Sequence, residues 1–224
     1  MAVAVLFDLE ETLVETPWIS HVAEFRTATR KRLLTLGIPQ NVLEGVERST
    51  VMRNKAVEYV QSRFAEPEQE TFVHEMERFL KAYELDAAHN SKLFPETVPT
   101  LEKLRAMNVS MGLVTNTSRE AVDIDFRLHG IGGYFSSVVT RERVTKLKPD
   151  PEGIILAAKE LGAKRFFMVG DLALDVHASK AANAICIIVK RSHGDALNLN
   201  PDYYVESLSE VPAIVGKHLE ATQC

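Results

Sequence analysis

Cysteine is scarce in this sequence. Only Cys186 and Cys224 occur among 224 residues, and two cysteines without a metal-type spacing support neither a disulfide framework nor a structural zinc site. A reducing, cytoplasmic compartment is therefore the simplest expectation. A basic leader followed by an apolar core is also missing from the first residues, which predicts that the chain carries no secretory signal.

Long apolar runs and an excess of positive charge are absent as well. No uninterrupted apolar run approaches the ~20 residues that a membrane-spanning helix needs, so we expect a soluble protein that does not enter membranes. The 26 basic residues stand against 31 acidic residues, for a net charge of -5. This sign disfavours nucleic acid and anionic membranes as partners, whereas a small anionic substrate stays possible because local charge governs a cleft.

The composition is that of an ordinary globular protein, with 46% hydrophobic and 25% charged residues, which is enough for a full core. An apolar run at residues 3–7 comes first, and strand-like and helix-like segments alternate from residue 93 onward. Such alternation predicts an α/β fold with a doubly wound parallel sheet. Strands are predicted at residues 3–7, 109–114, 136–140, 165–169, 184–189 and 203–205.

Residues 17–92 have a different pattern. Thr16 followed by Pro17 is typical of a helix start, and apolar residues then recur at helical intervals, which predicts three or four helices and no strand. We therefore expect an α-helical cap domain at residues 17–92, inserted into an α/β core domain formed by residues 1–16 and 93–224. An insert that leaves the carboxyl edge of a strand can cover a site there, because ligands bind at that edge.

Polar side chains follow several of the predicted strands. Because the carboxyl ends of parallel strands meet at one edge of the sheet, these distant residues are expected to converge. They are Asp8, Thr115, Lys148 and Asp171. With Glu10 and Asp175 nearby, the carboxylates would repel one another unless cations compensate. The Lys148 ammonium and Mg²⁺, which binds carboxylates together with water and substrate phosphate, supply that compensation.

The same residues form a series of four motifs. These are DxxxT from Asp8, TN at Thr115-Asn116, KPDP from Lys148, and GDxxxD containing Asp171 and Asp175. In this order they resemble the haloacid dehalogenase superfamily, in its phosphatase-like branch with a helical C1-type cap, and in particular phosphoglycolate phosphatase-like proteins. The resemblance covers nearly the whole chain and implies a Rossmann-like core and a hydrolase.

The resemblance implies a role for each motif residue. Asp8 matches the nucleophile that attacks phosphorus and forms an aspartyl-phosphate. Thr115, with Asn116, matches the group that holds the transferring phosphoryl group, and Lys148 matches the cation that neutralises its charge and orients Asp8. The implied reaction is Mg²⁺-dependent hydrolysis of a phosphomonoester, so a small phosphorylated metabolite is the expected partner.

The resemblance also implies a magnesium site and contains one departure. Mg²⁺ would be held by Asp8, by the backbone carbonyl of Glu10 and by Asp171, with Asp175 supporting Asp171 or a bound water. Position 10 is normally an aspartate that acts as general acid and base, and the extra methylene of Glu10 moves the proton donor by about 1 Å, which can cost on the order of 100-fold in rate. A carboxyl at this position still favours ester hydrolysis over dehalogenation.

Other interpretations stay open. One alternative is a scaffold that binds phosphate or a protein partner with little catalysis, and another is a 2-haloacid dehalogenase-type hydrolase that forms an aspartyl ester at carbon. Purely structural roles are a strand-end turn for Asp8, a solvated side chain for Lys148, and the first turn of a helix for Asp171 and Asp175. The sequence predicts neither the substrate nor the oligomeric state. Candidates for substrate contacts from the cap are Trp18, His21 and Arg26.

Overall fold

The computed structural model describes residues 3–16, 22–191, 196 and 198–220. The strands among them are β1 Val3–Phe7, β2 Val14–Glu15, β3 Lys92–Leu93, β4 Ser110–Val114, β5 Ser137–Val139, β6 Arg165–Gly170, β7 Ile185–Val189 and β8 Tyr203–Val205. The α-helices are α1 Val22–Thr35, α2 Ser49–Arg63, α3 Glu66–His89, α4 Thr97–Ala106, α5 Arg119–His129, α6 Glu152–Glu160, α7 Ala173–Ala181 and α8 Val211–Glu220.

Six strands form one parallel sheet in the order β5-β4-β1-β6-β7-β8. The prediction of an α/β fold with a parallel sheet is therefore confirmed. Strand β1 lies between β4 and β6, and its Phe7 pairs with Leu113 on one side and Val169 on the other. All residues of β1 are buried, because a parallel sheet is covered on both faces, and this explains its continuous apolar run.

Helices cover the two faces of the sheet through separate apolar clusters. Phe7 of β1 belongs to a cluster with residues of α4, α5 and α8, such as Leu104. Leu6 belongs to a second cluster with residues of α6 and α7, such as Ile154 and Ala178. Successive side chains of a strand point to opposite faces, so β1 contributes to both clusters. Because helices cover both faces of the sheet, the carboxyl edge with its loops is where a ligand can bind.

The segment of residues 22–89, which we call the helical insert, lies in the chain between β2 and β3, and its helices α1, α2 and α3 pack around their own apolar cluster. The predicted helical character of this region agrees with these three helices, whereas the predicted helix start near Pro17 lies outside the described residues. Strands β2 and β3 pair antiparallel, with Val14 opposite Leu93. This pair was not predicted, because two-residue strands have no periodic pattern.

Most predicted element boundaries lie close to the observed ones. The strand predicted at 136–140 is β5 Ser137–Val139, and the strand predicted at 184–189 is β7 Ile185–Val189. Each of these strands begins one residue later than predicted, because the sequence pattern does not show where the backbone pairing starts. Among the helices of the described part, none combines the length and the apolar character that crossing a membrane requires.

Candidate active site

Asp8, Thr115 and Asp171 lie at the carboxyl edge of the sheet, each directly after a strand. The central position of β1 brings its end between the ends of β4 and β6. The Asp8 N–H donates to the Val169 carbonyl at 2.9 Å, and the Thr115 N–H donates to the Val139 carbonyl at 3.0 Å. These bonds continue the sheet pairing past the strand ends, so the backbone that carries both side chains is fixed. The structure brings these three predicted residues to one place.

Lys148 reaches the same edge from the loop before α6. Its Nζ lies 2.8 Å from Asp8 Oδ1 and 2.8 Å from Asp175 Oδ1. Burial disfavours the charged ammonium, but Asp175 and Asp8 outweigh this effect and raise the pKa of Lys148. Burial also raises the pKa of Asp8 to about 6, against the opposing charge of Lys148. A buried, charged lysine therefore holds the Asp8 carboxylate in one position.

Asp175 lies in the first turn of α7 and orders the neighbouring backbone. Its Oδ2 accepts the N–H groups of Asp171 at 3.2 Å and of Leu172 at 3.1 Å, while its Oδ1 accepts from Lys148. Gly170 makes room for this carboxylate, because a Cβ at that position would lie 2.3 Å from Asp175 Cγ. Asp175 is thus tied to Lys148 through one oxygen and to the backbone of Asp171 through the other.

Three carboxylates crowd together at this edge. Oxygens of Asp8, Asp171 and Asp175 lie within 4.8 Å of one another, and all three side chains are buried. Asp171 Oδ1 accepts the Thr12 hydroxyl at 3.3 Å, whereas Asp171 Oδ2 is buried without a hydrogen-bond partner among the described residues. Burial, and then the charges of Asp175 and Asp8, raise the pKa of Asp171 well above its usual range. An unsatisfied buried oxygen amid excess negative charge fits a divalent cation, and carboxylate donors suit Mg²⁺.

Glu10 lies in the wall of the same cavity, two residues after Asp8. Burial, followed by the charges of Glu84 and Asp8, raises the pKa of Glu10 well above its usual range, and a hydrogen bond with the Thr117 side chain opposes this shift. The carboxyl is therefore biased toward its protonated form. That is the form which a proton donor needs at the start of a reaction.

The Asn116 side chain is bonded to the loop that carries Lys148. Its Nδ2 donates to the Lys148 carbonyl at 3.1 Å, and its Oδ1 accepts the Lys148 N–H at 2.9 Å. The Thr115 hydroxyl accepts the Thr117 N–H at 3.2 Å. Thr115, Asn116 and Lys148 all line one cavity, so the three predicted substrate-binding residues are together, with the Asn116 amide engaged in holding the lysine.

This cavity, of about 290 Å³, lies between the carboxyl edge and the helical insert. The insert contributes Arg26 and Arg48 to its wall. Burial, and then the charge of Arg26, lower the pKa of Arg48, so the two cations are near each other in a poorly solvated place. Arg26 was a sequence candidate, whereas Arg48 and Thr117 were missed because no motif marks them. Trp18 and His21 lie outside the described residues.

Known proteins that are similar to this chain in sequence or in structure point to one family. Residues 5–189 match the family described as haloacid dehalogenase-like hydrolase. The chain is 30% identical over 217 residues to pyrophosphatase PpaX of Oceanobacillus iheyensis, covering 95% of this chain and 96% of that protein. It is 28% identical over 224 residues to phosphoglycolate phosphatase of Photorhabdus laumondii, covering 95% and 92%. A crystal structure of a haloacid dehalogenase-like hydrolase from Bacteroides fragilis has the same fold, with a TM-score of 0.67 and 22% identity, covering 94% of this chain and all of that chain.

Proposed function

The chain belongs to the haloacid dehalogenase-like hydrolases, and we propose that it hydrolyses a small phosphomonoester with the aid of Mg²⁺. One observation carries this proposal, namely the buried cluster of Asp8, Asp171 and Asp175 with Lys148 bonded into it. Similar proteins named pyrophosphatase and phosphoglycolate phosphatase favour phosphoryl chemistry over other hydrolytic reactions for this cluster.

In the proposed reaction Asp8 is the nucleophile. A carboxylate oxygen of Asp8 forms a bond to phosphorus while the bond between phosphorus and the ester oxygen breaks, which gives an aspartyl-phosphate. Glu10 donates its proton to the departing oxygen, which leaves as an alcohol. Glu10 then takes a proton from a water molecule whose oxygen attacks the phosphorus. This second step releases inorganic phosphate and restores Asp8.

Lys148 and Thr115 are the proposed phosphoryl-binding groups. The Lys148 ammonium would balance charge on the phosphoryl oxygens while it keeps Asp8 oriented, and the Thr115 hydroxyl would add a hydrogen bond. Positioning and charge stabilisation are most of what phosphoryl transfer requires of a protein. Asn116 supports Lys148 through its side-chain amide, and its backbone is a further candidate for phosphate binding.

We propose that Mg²⁺ is held by Asp8, by the backbone carbonyl of Glu10 and by Asp171. When bound, the ion would neutralise negative charge on the transferring phosphoryl group. The buried Oδ2 of Asp171, which has no hydrogen-bond partner among the described residues, supports its assignment as a ligand. Both oxygens of Asp175 are already engaged by Lys148 and by backbone N–H groups. Asp175 is therefore assigned a supporting role beside the ligands.

We further propose that the helical insert acts as a cap domain of residues 17–92, over a core domain of residues 1–16 and 93–224. Arg26 and Arg48 from this insert line the cavity together with the catalytic carboxylates. Two arginines suit a substrate with a second anionic group besides the phosphoryl group. Phosphoglycolate, a phosphomonoester that carries such a group, is the first substrate to test. Pyrophosphate, to which the name of another similar protein points, is an anhydride with a second phosphoryl group and tests whether the site also accepts inorganic phosphate as the leaving group.

A metal-dependent assay of the purified protein tests this function. Turnover of p-nitrophenyl phosphate, phosphoglycolate or pyrophosphate is expected with Mg²⁺ and should stop when EDTA removes the metal. Asp8→Asn should reduce turnover to the background rate, because an amide cannot act as the nucleophile. Asp123→Asn, on the solvent-accessible face of α5, makes a similar change of charge away from the cavity and should leave the rate unaltered.

Two results would contradict the proposal. The first is an absence of turnover on all of these phosphates with Mg²⁺, and the second is full activity in Asp8→Asn. Release of halide from a 2-haloacid without any metal requirement would instead support the dehalogenase alternative.

A further inference from the structure

The loop that carries Lys148 is held by side chains rather than by secondary structure. Residues 144–151 contain no strand or helix, so their buried backbone groups need other partners. Four consecutive N–H groups in this loop donate to side-chain oxygens. They are those of Thr145 and Lys146 to Glu152, both at 2.9 Å, of Leu147 to Asn54 at 3.0 Å, and of Lys148 to Asn116 at 2.9 Å.

Asn54 is the member of this group that comes from the helical insert. It lies in α2, its Oδ1 accepts the Leu147 N–H, and its Nδ2 donates to the Leu147 carbonyl at 2.7 Å. Asn116, from the core, binds the N–H and the carbonyl of Lys148 in the same way. Two adjacent residues are thus each held through both backbone groups, one from the insert and one from the core.

Neighbouring contacts fix Asn54 against the loop. Arg53, the preceding residue of α2, donates to the Thr145 carbonyl at 2.8 Å and pairs with Glu77 of α3 at 3.2 Å. Glu77 also pairs with the buried guanidinium of Arg141, which lies in the core after β5. The insert is therefore joined to this part of the core by a buried set of charged and polar contacts, and Asn54 is placed by it.

We propose that Asn54 is a positioning residue for the reaction, which orders Lys148 when the helical insert is packed on the core. This inference rests on the proposed function for its consequence in catalysis. Asn54 is not part of the wall of the 290 Å³ cavity, so it acts through the Leu147–Lys148 backbone and not by touching substrate. Because Lys148 Nζ is bonded at 2.8 Å to both Asp8 and Asp175, a shift of its backbone would disturb the nucleophile.

Backbone hydrogen exchange tests the structural part of this claim without any assay of activity. Asn54→Ala should speed exchange of the Lys148 N–H by about tenfold or more, although Asn116 and not Asn54 accepts that proton, because the loop opens more often. Exchange in the central strand β6 should stay unchanged, which separates loop opening from global loss of stability. Lys81→Ala removes a different contact between insert and core, the ion pair with Glu120 at 3.2 Å, and should leave Lys148 exchange as in wild type.

Kinetics test the catalytic part. Asn54→Ala should lower kcat by about tenfold while KM changes by no more than about threefold, because Lys148 orients the Asp8 nucleophile but shares binding of the phosphoryl group with Thr115. Asn54→Asp keeps the side-chain size and the acceptor for the Leu147 N–H, but it replaces the donor to the Leu147 carbonyl with a second oxygen, which repels that carbonyl. This variant should therefore also lower kcat much more than it changes KM. Lys81→Ala should match wild type.

The outcomes separate this inference from the proposed function. Unchanged Lys148 exchange in both Asn54 variants overturns the inference whether or not the protein is a phosphatase. Wild-type kcat in both Asn54 variants, with wild-type turnover present, overturns its catalytic part alone. Absence of turnover in wild type overturns the proposed function, and the exchange measurement then still decides whether Asn54 orders Lys148.

Discussion

At the residue scale, the length of the Glu10 side chain places its carboxyl beside Thr117 and near Glu84. Glu10 is one methylene longer than the aspartate that the family resemblance implies at this position. The Thr117 side chain hydrogen-bonds to its carboxyl, and Glu84 from α3 is close enough to raise its pKa. The loop after β4 thus bonds a carboxyl at this distance from the backbone, while the negative charge of Glu84 favours the protonated form of that carboxyl. We infer that the site is built for glutamate rather than damaged by it.

Glu10→Asp should therefore lower kcat, by about 10- to 100-fold, because the shorter side chain loses the Thr117 bond and withdraws the proton donor by about 1 Å. The measurement is kcat on whichever phosphate ester wild type hydrolyses fastest. Glu15→Asp removes the same methylene from an exposed residue of β2 and should be neutral. A variant faster than wild type would mean that the native site is detuned, in favour of a binding role.

The candidate site residues that belong to sequence motifs could be predicted individually from the sequence. Asp8 and Asp171 each follow a predicted strand, and Lys148 comes directly before Pro149 in the KPDP motif. The parallel sheet then brings the strand ends to one edge. Asn54 and Arg48 could not be predicted, because each is a polar residue that no motif marks. Their contacts depend on how the insert packs, which no local pattern encodes.

At the scale of elements, helix α3 is joined to the core at its middle and near its C-terminal end. Glu77 and Glu84 of α3 pair with Arg141, which is 1% exposed. Near its end, Ser91 donates to Asp125 of α5 and lies 2.8 Å from His129 Nε2. Removing one partner of a buried polar pair leaves the other unsatisfied, so such contacts fix one arrangement of two packed elements.

Asp125 makes this junction sensitive to pH. Burial raises the pKa of Asp125 from 3.8 to about 6, against the opposing hydrogen bond from Ser91. A carboxyl whose pKa is higher in the folded chain binds its proton more tightly there than in the unfolded chain. Its contribution to the free energy of unfolding is therefore most favourable below the unfolded pKa and is lost as pH rises to about 6.

Asp125→Asn should remove this dependence, since the amide keeps an acceptor for Ser91 and carries no charge. The variant should equal wild type in stability near pH 4 and exceed it above pH 6 by on the order of 1 to 2 kcal/mol, after solvent screening is allowed for. Urea unfolding of both proteins across this range measures the difference. A variant that is less stable than wild type at neutral pH would show that the ionised carboxylate is stabilised, for example by a protonated His129.

At the scale of the whole molecule, the order of strands decides where chemistry can occur. The sequence predicts a parallel sheet from its alternation of strands and helices, but the central place of β1 between β4 and β6 is a property of the fold. The cavity of about 290 Å³ depends further on the helical insert lying over that edge. Arg26 of α1 and Arg48, the residue before α2, line this cavity. They are far apart in the chain from Asp171 and Asp175, which line the same cavity.

The central claim is that Asp8 carries the phosphoryl group during turnover. The most direct measurement is mass spectrometry of peptides from protein quenched in acid while it hydrolyses a phosphate ester with Mg²⁺. A single phosphoryl group is expected on the peptide that contains Asp8, and it should be missing in Asp8→Asn and in protein treated with EDTA. Turnover without this label, or with the label on another residue, would contradict covalent catalysis by Asp8.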